Sequence, residues 1–299
     1  NTTLLKIFAL LIVPITPPSN AQSDAWLQSS HNNHIIELQQ ADTPNVDNFI
    51  TIDFYGHAAF RITSSGGLSL LFDPWRNDPS GAWGLWFPKE FPEVKVDAVL
   101  STHAHFDHDA VYRPESPMVL DRMAGKWQLG DVSITGLADK HVCVSPGAHK
   151  WHEAFDEFGV EGCPPDNPGH MDNVIFLIES NGIRIVIWGD NRATPAAHVA
   201  AALKDIDVLI LPVDDSQHLL SYEQSDSIVE KLAPKLVIPA HYLTSGVSSV
   251  LSTLGTAEEW VDRHSNVIKS KNPSVKINRE YLADKSKHIF YFGASHLAE

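Results

Sequence analysis

Val96-Asp97-Ala98-Val99-Leu100-Ser101-Thr102-His103-Ala104-His105-Phe106-Asp107-His108 runs from an apolar strand-like segment straight into a cluster of polar donors. The first half has the apolar character of a buried strand. The second half places four metal-competent side chains between positions 103 and 108. Neutral imidazole nitrogens and an anionic carboxylate oxygen together suit zinc and related transition metals. Immediately after a strand, His103 and His105 can converge on one ion. Asp107 and His108 fall where the chain turns into its next element and can serve a second.

Further strand patterns flank this segment. Ile50–Tyr55 alternates apolar and polar residues, Leu68–Phe72 ends in Asp73-Pro74, and Val132–Leu137 alternates again. Val174–Glu179 and Ile183–Trp188 are separated by Asn181-Gly182, which predicts a two-residue hairpin. Val208–Leu211 and Leu236–Ile238 are continuous apolar runs, as expected of buried strands. Helices are expected over the Ala-rich Pro195–Lys204, over Ser221–Leu232 with Ser221 as N-cap and Pro234 beyond its end, and over Thr256–Ile268. The last opens with Thr-Ala-Glu-Glu, a capping-box pattern. Strands followed by helices in both halves predict a layered α/β protein. No repeat, low-complexity run or linker divides residues 49–299, so one domain is expected there.

The cluster His103-Ala-His105-Phe-Asp107-His108 resembles the His-x-His-x-Asp-His motif of the metallo-β-lactamase superfamily. Tyr55-Gly56-His57-Ala58 and Leu71-Phe72-Asp73-Pro74 are similar to the opening of the branch that includes ascorbate-6-phosphate lactonase and N-acylphosphatidylethanolamine phospholipase D. Trp188-Gly189-Asp190-Asn191 resembles that family's Gly-Asp turn, and Val237-Ile238-Pro239-Ala240-His241-Tyr242 its Pro-x-His-Tyr turn. The resemblance spans about residues 50 to 245. It implies an αββα sandwich, two mixed β-sheets flanked by helices, with the site at the edge where the sheets meet.

The resemblance also implies a ligand set. A first metal ion takes His103, His105 and one further histidine; a second takes Asp107, His108 and His241; Asp190 bridges the two. An anion between two dications offsets their repulsion. The third histidine of the first site is His141, which follows the strand at 132–137, or His170, in the Pro168-Gly169-His170 turn before the next strand. His149 and His152, between those two, read as ordinary loop residues. His57, Asp73 and His218 are candidates for holding a ligand or touching substrate. Two divalent ions are thus expected, with zinc favoured and Mn2+ or Fe2+ as alternatives. A bound dication lowers the pKa of water from 15.7 to about 7, so metal-bound hydroxide is available near neutral pH. Asp107 is the residue to orient it and take up its proton. The expected activity is hydrolysis of an ester, lactone or phosphodiester, needing no Ser or Cys nucleophile and no organic cofactor. β-Lactamase-like amide hydrolysis is an alternative, although drug-hydrolysing relatives generally place Cys or His where Asp190 falls. A metal-dependent binding or sensing protein is another.

Composition narrows the partners. The chain of 299 residues is 43% hydrophobic and carries a formal net charge of −15. A phosphate-backbone binder needs a basic footprint, so a nucleic-acid partner is not expected, and a small-molecule or lipid-like substrate is. Lys6, the apolar run Ile7–Val13 and Ser19-Asn20-Ala21 read as a secretory signal over residues 1–21, and 22–48 as a polar leader. The run is shorter than the ~20 apolar residues of a membrane span, and no other stretch is long enough. Export to the periplasm or beyond would leave Cys143 and Cys163 either bridged or as two free thiols. Two aromatic segments stand out. Residues 75–91 hold Trp75, Trp83, Trp86, Phe87 and Phe91 and form either a cleft wall or a loop tucked over the core. Residues 142–169 hold Trp151, Phe155 and Phe158, and form a candidate flap beside His141.

Overall fold

Phe72 and Phe176 meet with ring centroids 5.8 Å apart, and that contact joins the two β-sheets of the computed structural model. The structure describes residues 48–142, 171–215, 219–252, 254–295 and 297–298. The expected secretory signal at 1–21, nearly all of the expected leader, Cys143 and Cys163, the aromatics of the candidate flap, and His149, His152, His170 and His218 lie outside the described residues.

One sheet has the strand order β13-β1-β2-β3-β4-β5. Its members are β1 (Ile50–Phe54), β2 (Phe60–Thr63), β3 (Ser69–Phe72), β4 (Ala98–Ser101), β5 (Met118–Asp121) and β13 (Ser274–Ile277). The other has the order β12-β14-β11-β10-β9-β8-β7-β6. It comprises β6 (Gly125–Leu129), β7 (Val132–Asp139), β8 (Asn173–Ser180), β9 (Ile183–Ile187), β10 (Val208–Pro212), β11 (Leu236–Ala240), β12 (Val267–Lys269) and β14 (His288–Tyr291). Both sheets are mixed. β3, β4 and β5 are parallel, whereas β1, β2 and β3 pair antiparallel. In the second sheet β9, β10, β11, β14 and β12 are parallel, and β6 to β9 form antiparallel pairs. Helix α1 (Ala197–Ala202) lies against β7, and α2 (Tyr222–Leu232) against β10. This is the layered α/β architecture with two mixed sheets that the sequence predicts. No helix among the described residues is long and apolar enough to cross a membrane.

Side-chain alternation assigns the cores. In β3 and β4, Leu70, Phe72, Ala98 and Leu100 face the second sheet, within the main cluster. Leu71 and Val99 point the other way, as the two-residue period of a strand requires. That outer face is covered by residues 75–96: Trp75 stacks on Phe87 at 4.3 Å, and Trp86 and Phe91 are buried beside them. The aromatic segment is therefore mostly a second core. Trp83 is half-buried, while Leu85 stands out at 60% exposed. β10 and β11, parallel and central, are buried at every position, which explains their unbroken apolar runs.

The Asn181-Gly182 hairpin forms as expected. Both residues have positive φ, 49° and 67°, which the tight turn between β8 and β9 demands. Ser221 caps α2 with a capping box closed by Gln224. The expected helix over Thr256–Ile268 does not form in full. A short α3 (Glu258–Asp262) starts without a side-chain cap, and Val267-Ile268-Lys269 instead pairs in parallel with β14. The His264 side chain bonds back to the Trp260 carbonyl at 2.8 Å, and the β-branched residues beyond it find a strand partner that local propensity cannot reveal. α4 (Arg279–Leu282) completes the described helices, capped by Asn278.

Ser221→Ala removes the hydroxyl that accepts the Gln224 N–H, while the main-chain N–H of residue 221 can still donate to Gln224 Oε1. Urea unfolding is expected to show a loss of about 1 kcal/mol; an unchanged midpoint would mean that the cap contributes nothing.

Candidate metal centre

Each candidate ligand among the described residues follows the carboxyl end of a strand. β1 leads to His57, β3 to Asp73, β4 to His103–His108, β7 to His141, β9 to Asp190 and β11 to His241. β1, β3 and β4 run in one direction in their sheet, and β7, β9 and β11 in one direction in theirs. The sheets are stitched together there: the His241 N–H donates to the His57 carbonyl at 2.9 Å, and His57 and Tyr242 form a β-bridge. Within the second sheet, His141 and Asn191 form a β-bridge between the ends of β7 and β9.

The local backbone is unusual at just these places. His57, Asp73 and His241 have φ of 56°, 48° and 57°, a left-handed conformation that non-glycine residues adopt at a cost. Gly189, with φ 60°, packs so tightly that a Cβ would lie 2.8 Å from the Thr102 side chain and 2.9 Å from Asn173 Oδ1. The turn carrying Asp190 therefore reaches the His103 loop only as glycine.

Two donor groups result, His103, His105, His141 and Asp190 in one, and His57, Asp107, His108 and His241 in the other. In the first, His103 Nε2 and His105 Nδ1 are 3.1 Å apart, and Asp190 Oδ2 is 3.4 Å from both His103 Nε2 and His141 Nε2. In the second, Asp107 Oδ2 is 3.7 Å from His108 Nε2 and 3.6 Å from His241 Nε2. Asp190 reaches this group as well, with Oδ1 3.4 Å from His108 Nε2 and Oδ2 3.4 Å from His241 Nε2. Two tetrahedral ligands at zinc–nitrogen distances of about 2.0–2.1 Å stand roughly 3.4 Å apart. The observed spacings cluster around that value. Among the described residues, both oxygens of Asp190, His108 Nε2 and His141 Nε2 are buried without a hydrogen bond. Leaving such groups unsatisfied is expensive, and a divalent ion satisfies them. The residues fit two cations that share Asp190.

The electrostatics agree. Burial raises the pKa of Asp190, but His108, His241 and His103 outweigh it and hold the carboxyl well below the usual range. Burial likewise works against Asp107, where His108, the nearby His241 and the hydrogen bond from His57 prevail. His103 is pushed well below the imidazole range, first by burial and then by His108. At His108 burial is outweighed by Asp190, Asp107 and Asp73, which lift it to about 10. Asp190 and Asp107 are thus held ionised, whereas burial raises the Asp73 carboxyl.

Further polar groups aim these side chains. His108 Nδ1 donates to Asp73 Oδ2 at 3.0 Å, and Asp73 also accepts from the Thr102 N–H and hydroxyl at 2.7 and 2.9 Å. His141 Nδ1 donates to the Val142 carbonyl at 2.5 Å. His241 Nδ1 faces Asp214 Oδ2 at 3.5 Å. Such partners fix ring orientation and tautomer. Asp139, fully buried, accepts from Arg192, Asn191 and the Ala196 N–H and so pins the chain just past Asp190. Asp214 and Asp139 escape the sequence reading. Asp214 had a usable cue, because it follows the apolar β10 by two residues, as the donors follow their strands. His57, Asp73, His103, Asp107, His108, Asp190 and His241 are all buried, His141 is half-buried and His105 is exposed. The first group therefore faces solvent and the second lies deeper.

Residues 51–241 match the family described as Beta-lactamase superfamily domain. A metal-dependent hydrolase from Pyrobaculum islandicum is 28% identical over 196 residues, covering 64% of this chain and 84% of the relative. One from Archaeoglobus fulgidus is 26% identical over 211 residues, covering 64% and 83%. A crystal structure of a metallo-β-lactamase superfamily protein from Thermotoga maritima has the same fold, with a TM-score of 0.56 at 18% identity, covering 83% of this chain and 100% of that one.

Gly189→Ala is expected to lower stability by about 1–3 kcal/mol and to reduce metal capacity, because relieving the contact with Thr102 moves Asp190. Chemical unfolding in chelator and metal analysis after dialysis check this; wild-type values for both would refute the packing argument.

Proposed function

The chain belongs to the metallo-β-lactamase superfamily, and from that membership we propose that it is a metal-dependent hydrolase working with two divalent ions. The observation that carries the proposal is Asp190, whose oxygens stand 3.4 Å from histidines of both donor groups. His103, His105 and His141 would hold the outer ion, and Asp107, His108 and His241 the deeper one, with Asp190 between them. Zinc suits this nitrogen-rich set, and Mn2+ or Fe2+ are the alternatives.

Bound divalent ions supply Lewis acidity and acidify water. The chain supplies the rest. Asp107, held ionised, orients the attacking water and takes its proton. Asp73 and Asp214 keep His108 and His241 aimed inward, so the site changes little during turnover. His105 and His141 form the solvent-facing side, from which substrate approaches. No Ser or Cys nucleophile is required.

The substrate proposed is an ester, lactone or phosphodiester with an apolar or lipid-like portion. Leu85, Val250 and Leu251 are 60%, 82% and 48% exposed. They belong to two loops joined by the Ser248 N–H bond to the Trp86 carbonyl. Trp86 also packs edge-on against Phe106 at 4.9 Å, and Phe106 lies between His105 and Asp107 in sequence. The buried Trp86 thereby links these loops to the metal motif. The motifs around His57, Asp73 and His241 support a place in the branch resembling ascorbate-6-phosphate lactonase and N-acylphosphatidylethanolamine phospholipase D. Residues 1–21 support export to the periplasm or the medium. The net charge of −15 disfavours a nucleic-acid substrate.

Zinc-loaded protein is expected to hydrolyse at least one of p-nitrophenyl esters, a lactone panel and bis(p-nitrophenyl) phosphate, and to lose that activity on chelation. Asp107→Ala is expected to lower turnover by about 10²–10⁴-fold, and His103→Ala to abolish it, both with the fold retained. Wild-type turnover in either variant would sink the mechanism. Two bound ions with no turnover on any substrate would favour a binding role instead.

A further inference from the structure

His57 engages the deeper donor group in a way that the ligand assignment leaves unused. Its ring is fully buried, packs edge-on against Phe87 at 5.7 Å, and lies 4.0 Å from the His241 ring. His57 Nε2 stands 2.9 Å from Asp107 Oδ2. That is the length of an N–H···O hydrogen bond. It is clearly shorter than the 3.4–3.7 Å that separates the atoms proposed to share the deeper ion. His57 therefore grips a ligand and does not itself join the coordination.

Its backbone grips a second ligand. The His57 carbonyl accepts the His241 N–H at 2.9 Å, and both residues hold positive φ. One residue thus fixes Asp107 through its ring and His241 through its main chain. None of His103, His105 and His141 has a hydrogen bond or ring contact with it among those described. The ring's other nitrogen, Nδ1, is buried without a hydrogen bond among the described residues, where Asp107 is the imidazole's one hydrogen-bond partner. Holding a non-glycine residue in the left-handed region costs energy, and the bond to Asp107 is what that conformation delivers.

We propose that His57 is a positioning residue that sets the affinity of the deeper metal site independently of the outer one. The proposal rests on the two-ion reading above. Breaking the hydrogen bond frees the Asp107 carboxylate to rotate, while the outer donors keep all their own partners. The deeper ion should then bind more weakly and the outer ion as before.

The test is equilibrium dialysis of the full chain against buffered zinc, with metal analysis, on wild type and three variants. His57→Asn tolerates the left-handed backbone but is too short to reach Asp107. His57→Gly accepts that backbone freely and has no donor. His57→Gln is longer and carries an N–H that can reach Asp107. Wild type is expected to bind two ions. The Asn and Gly variants should keep one of the two binding steps and weaken the other by about 10–100-fold, and Gln should recover most of the loss. Circular dichroism and thermal unfolding in chelator monitor the fold of each. Equal weakening of both steps, no weakening of either, or a Gln variant no better than Asn would overturn the role given to His57 while leaving two ions in wild type. Fewer than two ions in wild type would overturn the two-ion reading and this inference with it.

Discussion

Asp190 is a buried carboxylate whose two oxygens have no hydrogen bond among the described residues and face imidazoles from both sheets. An ionised carboxylate in such a place is tolerable only when positive charge compensates it. His103 and His108 come from the loop after β4 in one sheet, while His141 and His241 follow β7 and β11 in the other. The site therefore exists only where the two sheets meet at one edge. Much of the surrounding structure serves to bring these chain ends together and keep them there.

Two kinds of constraint achieve this. The first is topological: the strands that precede the donors run in a common direction within each sheet, so their carboxyl ends gather at that edge. The second is local strain. Three non-glycine residues at the centre hold positive φ, and Gly189 sits where a Cβ would strike Thr102 and Asn173. Strain of this kind persists only where the surrounding packing over-determines it. The buried web of Asp139, Asn173 and Asn191 behind the Asp190 turn, and the Phe72–Phe176 contact between the sheets, supply that packing.

Much of this was legible in the chain. His103 to His108 announced itself because four donors in a short span after a strand have few structural reasons to occur together. Asn181-Gly182 marked its hairpin through backbone stereochemistry alone. Other features depend on contacts distant in sequence. Val267-Ile268-Lys269 reads as the end of a helix until β14 is present to pair with it. Trp75, Phe87 and Phe91 read equally as cleft or core until Leu71 and Val99 are seen to need a cover. Asp214 offers only its place two residues after the apolar β10, and its role emerges when His241, after the neighbouring strand, turns its Nδ1 toward it. His57 stood out for its motif, but the hydrogen bond to Asp107, 50 residues away, is a fact of the fold.

The central claim is that Asp190 lies between two metal ions. Anomalous diffraction from zinc-soaked crystals tests it most directly. Two peaks about 3.5–4 Å apart are expected, one among His103, His105 and His141 and the other among Asp107, His108 and His241, with Asp190 contacting both. A single peak, or two peaks of which Asp190 touches only one, would contradict it.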